Sequence, residues 1–188
     1  ALYPTNTPYL IISQGSSGSD QPFMRAIPYT LAAFRPEVKK LLVEKGLLMP
    51  TLQRVFRATN RHLKKPDEYF TGKAHPSVFE GSWVDERKMV ELAHDIQLDE
   101  IPPLVQILMI EEEGAIQGQD YFDAAANEKL ADTPTVIARI HRAARTNRRM
   151  YVTAEGSRDP SGRSLTFHWT LLRGDPSLVR LKPEGQGH

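Results

Sequence analysis

The chain has 188 residues, of which 40% are hydrophobic and 25% are charged. This balance favours a packed core over disorder, and the length suits one domain or one domain with part of another. The 24 Lys and Arg nearly cancel the 23 Asp and Glu, which argues against a dedicated nucleic-acid binder. Cysteine is absent, so disulfides and a cysteine nucleophile are excluded. No apolar run approaches the roughly 20 residues that cross a bilayer, and we predict no transmembrane segment.

The N-terminal part of the chain predicts a short strand over residues 9–13, followed by a loop rich in Gly and Ser over residues 14–22. Four helices are then predicted, over residues 35–46, 48–60, 82–95 and 133–146. Pro36 and Pro134 suit a first helical turn, and Gly46 suits a helix end. Ser82 and Thr133 suit the N-cap position of the third and fourth helices.

The stretch between the third and fourth predicted helices holds one apolar strand, over residues 103–111, and a short helix within residues 120–130. The fold class predicted from this order is α+β. We divide the chain into a mainly helical domain with one or two strands, residues 1–147, and a β segment, residues 148–188.

The β segment alternates apolar and polar side chains, as half-buried strands do. Residues 151–155 predict one strand and residues 164–171 a second, with a turn at 157–162 and a third strand over 178–182. In the second strand one face carries four apolar residues: Leu165, Phe167, Trp169 and Leu171.

Residues 156–169, read as small-Ser-x-Asp-Pro-x-Gly-x-x-Leu-Thr-aromatic-x-Trp, resemble the first half of a PKD-type or related immunoglobulin-like domain. The resemblance covers about 35 residues and implies an antiparallel sandwich of an exported, periplasmic or extracellular bacterial protein that binds another protein chain or a polysaccharide. It also implies a missing second half, which another chain or the helical body must cover. A calcium role for the turn is not expected, because Asp159 alone cannot supply six or more oxygen ligands.

Two places in the helical domain carry side chains suited to catalysis. His75, on a loop with Lys73, titrates near neutral pH and suits a general base. The loop over residues 15–20 offers Ser17 and Ser19 as nucleophiles, although it lacks the second glycine of a nucleophile elbow and the Gly-Lys-Ser/Thr of a phosphate loop. These residues define the alternative hypothesis, a hydrolase.

Two clusters of basic residues lie on predicted helices. The first combines Arg54, Arg57, Arg61, His62, Lys64 and Lys65. The second combines Arg139, Arg142, Arg145, Arg148 and Arg149. Nucleic acid or an acidic surface could bind there. A solvated face, or one paired with acids of the same chain such as those at residues 111–113, is favoured. The six histidines form no metal-binding spacing, and we predict no metal and no cofactor.

The leading hypothesis is therefore a noncatalytic interaction protein, exported from a bacterium. We predict that Leu165, Phe167, Trp169 and Leu171 pack into its partner.

Overall fold

The computed structural model describes Leu2, Pro4 and residues 16–122 and 127–184. Within these ranges the chain forms four α-helices, three short 3-10 turns and four β-strands. The helices are α1 (Gln21–Ala33), α2 (Pro36–Glu44), α3 (Leu48–Ala58) and α4 (Glu86–Asp95). The strands are β1 (Leu108–Glu112), β2 (Asn127–Thr133), β3 (Val136–His141) and β4 (Met150–Thr153). The predicted α+β class is confirmed; the predicted strand at residues 9–13 lies outside the described residues.

The helices surround one apolar core because each places a stripe of aliphatic or aromatic side chains inward. Val38 and Leu42 of α2 are buried, as are Val55 and Phe56 of α3 and Met89 of α4. Helix α3 is enclosed on most of its circumference and also buries three polar side chains, Thr51, Gln53 and Arg57.

Helix α1 was not among the predicted helices, and it contains an internal proline, Pro28. Proline removes a helical hydrogen bond, so its presence hides a helix from sequence patterns. Phe23 of this helix meets Phe56 and Phe79, with ring centroids 5.9 to 6.2 Å apart. Packing of these rings against one another supplies the burial that compensates for the proline.

Helix α4 starts later than predicted. Residues Gly81–Trp83 form a 3-10 turn, and Asp85 caps the helix by accepting a hydrogen bond from the Lys88 backbone N–H at 3.2 Å. The predicted cap, Ser82, lies within the preceding turn. A carboxylate at this position also suits the positive end of the helix dipole.

The predicted fourth helix, over residues 133–146, is wrong: the chain forms the β2–β3 hairpin instead, with Pro134 and Thr135 in its turn. Val136, Ile137 and Ile140 favour a strand, and Ile137 is only 1% exposed, so burial in the sheet outweighs the helical pattern. The predicted short helix over residues 120–130 is also wrong where described, because β2 begins at residue 127.

The two sheets each contain two antiparallel strands, β1 with β4 and β2 with β3. Strand β1 lies within the predicted strand region but begins at Leu108, and β4 confirms the strand predicted to start at residue 151. Strand β4 thus pairs with a strand from before residue 147. An immunoglobulin-like sandwich and the division at residue 147 stay predictions.

After β4 the chain crosses back to the helical body, and residues 154–184 form no further strand. Arg158 exchanges two backbone hydrogen bonds with Leu104, and the predicted strands over residues 164–171 and 178–182 are not formed. Arg163 donates to the carbonyls of Asp99 and Ile101, which directs the chain away from β4.

Candidate functional site

The loop that carries His75 is built around the carboxylate of Glu68. This carboxylate accepts from the backbone N–H of Lys64 at 2.6 Å and pairs with the ammonium of Lys73. The hydrogen bond from Lys73 and that from Lys64 lower the pKa of Glu68 from 4.5 to about 2. Lys73 is therefore engaged in holding the loop, and its assignment as a catalytic residue stays a prediction.

His75 lies in the interior, with no exposed surface. Its Nε2 is 2.7 Å from the carbonyl oxygen of Tyr69, and its ring meets the Tyr69 ring edge-on at 5.2 Å. Burial, followed by the nearby Arg57 charge, lowers the pKa of His75 from 6.5 to about 4. The imidazole is consequently neutral at pH 7, and its position suits a structural role in holding the loop to the turn that carries Tyr69 better than a role as a base.

Ser17 and Ser19 lie on the surface and hydrogen-bond to each other, with 3.0 Å between their hydroxyl oxygens. A serine hydrolase needs its nucleophile and its base in one cleft. Because His75 is fully buried and both serines are exposed, the geometry does not favour this pairing. The hydrolase hypothesis stays a prediction.

The first basic cluster is divided by the fold. Arg57 is buried at 1% exposure, while Arg61, His62, Lys64 and Lys65 lie on the surface around the end of α3. His62 packs against Trp83 with ring centroids 4.3 Å apart. The cluster is therefore smaller than the sequence indicates.

The second basic cluster is largely neutralised within the chain, as its proximity to acidic residues indicated. Arg139 joins Glu112 at 2.6 Å and Asp132 at 3.2 Å, with its side chain 4% exposed. The hydrogen bond from Arg139 lowers the pKa of Glu112. The other ion pairs of this cluster are Arg142–Glu128, Arg145–Asp120 and Arg149–Glu113. Four of the five arginines of this cluster are therefore paired with acids of the same chain.

The turn that resembles a PKD-type domain holds an arginine clamp. The Asp159 carboxylate is 3% exposed and accepts two hydrogen bonds from Arg163, at 2.7 and 3.0 Å, and one from the Ser161 backbone at 2.8 Å. The bond from Arg163 is the main cause that lowers the pKa of Asp159. Because the guanidinium also reaches the Asp99 and Ile101 carbonyls, the clamp fixes the turn to the helical body.

We expect Arg163→Ala to lower the thermal unfolding midpoint and Arg163→Lys to recover little of the loss. Lysine keeps the charge but lacks the planar fork that bonds the carboxylate and two carbonyls together. Arg87→Ala is the matched control, because Arg87 also pairs with an acid four residues away, Glu91, but its side chain is 87% exposed. Equal midpoints for Arg163→Ala and the control, measured by circular dichroism, would show that the clamp does not hold the turn.

The row of residues predicted to bind a partner keeps its alternation although no strand forms. Leu165, Phe167, Trp169 and Leu171 are each half-buried, whereas the intervening residues are exposed. The chain then approaches the His75 loop closely: a Cβ built on Gly72 would lie 2.8 Å from the Leu172 carbonyl oxygen, and Arg173 donates to Ser77 Oγ at 3.0 Å. A role of this row in partner binding stays a prediction.

Sequence patterns missed a second apolar surface, on the β1–β4 ribbon. Leu108 is opposite Thr153 and Glu111 is opposite Tyr151, so these four side chains share one face. Leu108 is 43% exposed, Tyr151 38%, and Ile110, at an irregularity in the register, 69%. We call Leu108, Ile110, Glu111 and Tyr151 the ribbon surface. In the sequence, this surface is indicated only by the run of apolar residues over 107–110.

The opposite face of the ribbon is covered by the hairpin. Glu112 on that face also pairs with Lys129 at 3.1 Å, in addition to Arg139. Met109, Met150 and Val152 share this side and are half-buried. The ribbon therefore has one face toward its own chain and one toward solvent.

The described part of the chain contains no group of three or more His, Cys, Asp or Glu residues arranged to hold a metal ion. Among its helices none has both the length and the apolar character that a membrane crossing requires, which agrees with the prediction of no transmembrane segment.

Helices packed as one core beside two small antiparallel sheets define a mixed α+β protein. The chain matches no protein-family model, no curated protein and no solved structure. The resemblance of residues 156–169 to PKD-type domains accordingly stays a prediction.

Proposed function

We propose that this chain is a noncatalytic interaction protein that binds a partner protein chain through its β region. The observation that carries the proposal is the exposed ribbon surface, where Leu108, Ile110 and Tyr151 stand together on a two-stranded sheet. Exposed apolar side chains grouped on one sheet mark protein-binding surfaces more often than isolated ones do. A partner that covers this face would bury its apolar side chains and so stabilise the ribbon.

The half-buried row of Leu165, Phe167, Trp169 and Leu171 offers less free surface than the ribbon, so the proposal places the main contact on the ribbon. The resemblance to PKD-type domains supports an exported bacterial protein, periplasmic or extracellular. It also supports a polysaccharide as a second class of partner.

We expect Ile110→Glu to weaken partner binding at least about tenfold, because a charge at the centre of an apolar contact must lose its water. The measurement is the amount of protein that the immobilised chain retains from an extract of its own cells. Val43→Glu, on α2 with 59% exposure, is the matched control. Equal retention by wild-type protein and both variants would remove the proposal.

A further inference from the structure

A second stretch of exposed apolar side chains follows the arginine at position 173. Leu178 is 83% exposed, Val179 41% and Leu181 46%. Val179 and Leu181 alternate with two basic residues, Arg180 and Lys182, both exposed. We call residues 178–182 the terminal segment. Its sequence predicts a strand, yet the structure assigns it no strand and no sheet partner within the described residues.

The terminal segment and the ribbon surface are complementary in charge as well as in apolar character. Glu111 of the ribbon surface is exposed and forms no ion pair with the described residues. The guanidinium of Arg149 lies over the Tyr151 ring of the same surface, but its charge is paired with Glu113, so Glu111 leaves the surface with an acidic charge. The same holds for Arg180 and Lys182 within the described ranges. Long basic side chains can reach an acid at the rim of an apolar contact while their neighbours pack at its centre.

Within one molecule the terminal segment lies away from the ribbon surface. The residues just before it are tied to the helical body, where Leu172 lies against Gly72 and Arg173 donates to Ser77. From this anchor the apolar side chains of the terminal segment remain exposed, as do those of the ribbon surface. One molecule thus exposes both the terminal segment and the ribbon surface, and the two do not contact each other within the described residues.

We propose that the terminal segment of one copy binds the ribbon surface of a second copy, and that the second copy returns the same contact. Leu178, Val179 and Leu181 would cover Leu108, Ile110 and Tyr151, with Arg180 and Lys182 facing Glu111. Two reciprocal contacts close a symmetric dimer. This inference rests on the proposed function, since it names a second copy of the chain as the partner of the ribbon.

The test compares the mass in solution of the full chain and its variants over a dilution series, by sedimentation or light scattering. Wild-type protein is expected to form a dimer that dissociates on dilution. Ile110→Glu alone and the double variant Val179→Glu/Leu181→Glu are each expected to weaken the dimer at least about tenfold. Val43→Glu is expected to behave as wild type, and far-ultraviolet circular dichroism verifies that each variant is folded.

Mixing the two weakened variants provides the decisive measurement. The Ile110→Glu copy keeps an intact terminal segment and the double variant keeps an intact ribbon surface, so one of the two contacts is restored and a heterodimer forms. A ribbon-to-ribbon dimer would give no such recovery. Charge reversal extends the test: Glu111→Lys is expected to weaken the dimer, and combining it with Arg180→Glu and Lys182→Glu to restore it.

Three outcomes would overturn the inference: a wild-type chain that is monomeric at every concentration, a dimer unaffected by Ile110→Glu, or no heterodimer on mixing. A monomeric chain that still captures a different protein through Ile110 would overturn self-association and leave the proposed function standing. A monomeric chain with no capture that depends on Ile110 would remove both.

Discussion

Replacing Arg139 with Met should lower the free energy of unfolding by about 2 kcal/mol, whereas replacing Arg142 with Met should change it by less than about 1 kcal/mol. Both arginines lie on or next to the same hairpin, and both form ion pairs. They differ in exposure: the side chain of Arg139 is 4% exposed and that of Arg142 is 54% exposed.

The larger loss of unfolding free energy is expected because the groups that Arg139 contacts would lose their partner. Its removal breaks two ion pairs, to Glu112 and Asp132, and two hydrogen bonds, to the Ala131 and Ala138 carbonyls. Glu112, 16% exposed, would keep only Lys129 as an ionic partner. Losing one partner of a deeply buried pair costs roughly 3–5 kcal/mol, and the remaining lysine and the nearness of solvent reduce that figure here.

Urea denaturation at pH 7 of the wild-type chain and the two variants measures this difference. Since Arg139 fixes the hairpin against β1, its loss should also increase amide hydrogen exchange in β1 and β4. Equal unfolding free energies for the two variants would show that the covered ion pair contributes no more than an exposed one.

Acidification from pH 7 to pH 5 should cost the fold about 2 kcal/mol through His75 alone, rising to roughly 3 kcal/mol by pH 4. The pKa of His75 is lowered from 6.5 to about 4 in the folded chain, first by burial and then by the Arg57 charge. Between these two values the unfolded chain binds a proton that the folded chain does not. Unfolding is therefore favoured as the pH falls, and the stabilisation is present in full only above about pH 6.5.

The variant His75→Gln isolates this effect, because glutamine keeps a donor for the Tyr69 carbonyl and has no proton to gain. We expect its unfolding free energy, from urea denaturation at pH 7, 6 and 5, to fall less steeply than that of the wild type. The comparison of slopes holds even if the variant is less stable at every pH. His168→Gln, at an exposed position, is the control. A slope for His75→Gln equal to that of the wild type would show that His75 takes up its proton without unfolding.

The lowered pKa of Glu68 acts in a lower pH range and so leaves this comparison intact. The hydrogen bond from Lys73 is the main cause that brings the pKa of Glu68 to about 2. The stabilisation from this carboxylate is present above pH 4.5 and is lost as the pH falls toward 2. Its loss belongs to a pH range below the steepest part of the His75 transition.

Elements whose hydrophobic pattern agrees with their end signals could be predicted from the sequence. Helix α2, with Pro36 in its first turn and Gly46 beyond its end, and helix α3, with apolar residues three and four apart, are confirmed. Strand β4 is confirmed as well. The sequence also made pairing of the second arginine cluster with acids one of the expected outcomes, because charges of opposite sign in the same part of the chain attract wherever the backbone allows contact.

The remaining elements and the properties of the candidate sites depend on contacts between distant parts of the chain. Thr133 and Pro134 suit the start of a helix and the turn of a hairpin equally well. The hairpin forms because Ile137 is buried when it lies in strand β3. The exposure of His75, Arg57 and Ile110 depends on residues distant in sequence, and no local pattern records which side chain is enclosed. Burial sets the pKa of a histidine and decides whether an isoleucine is available to a partner, so neither property could be predicted from the sequence.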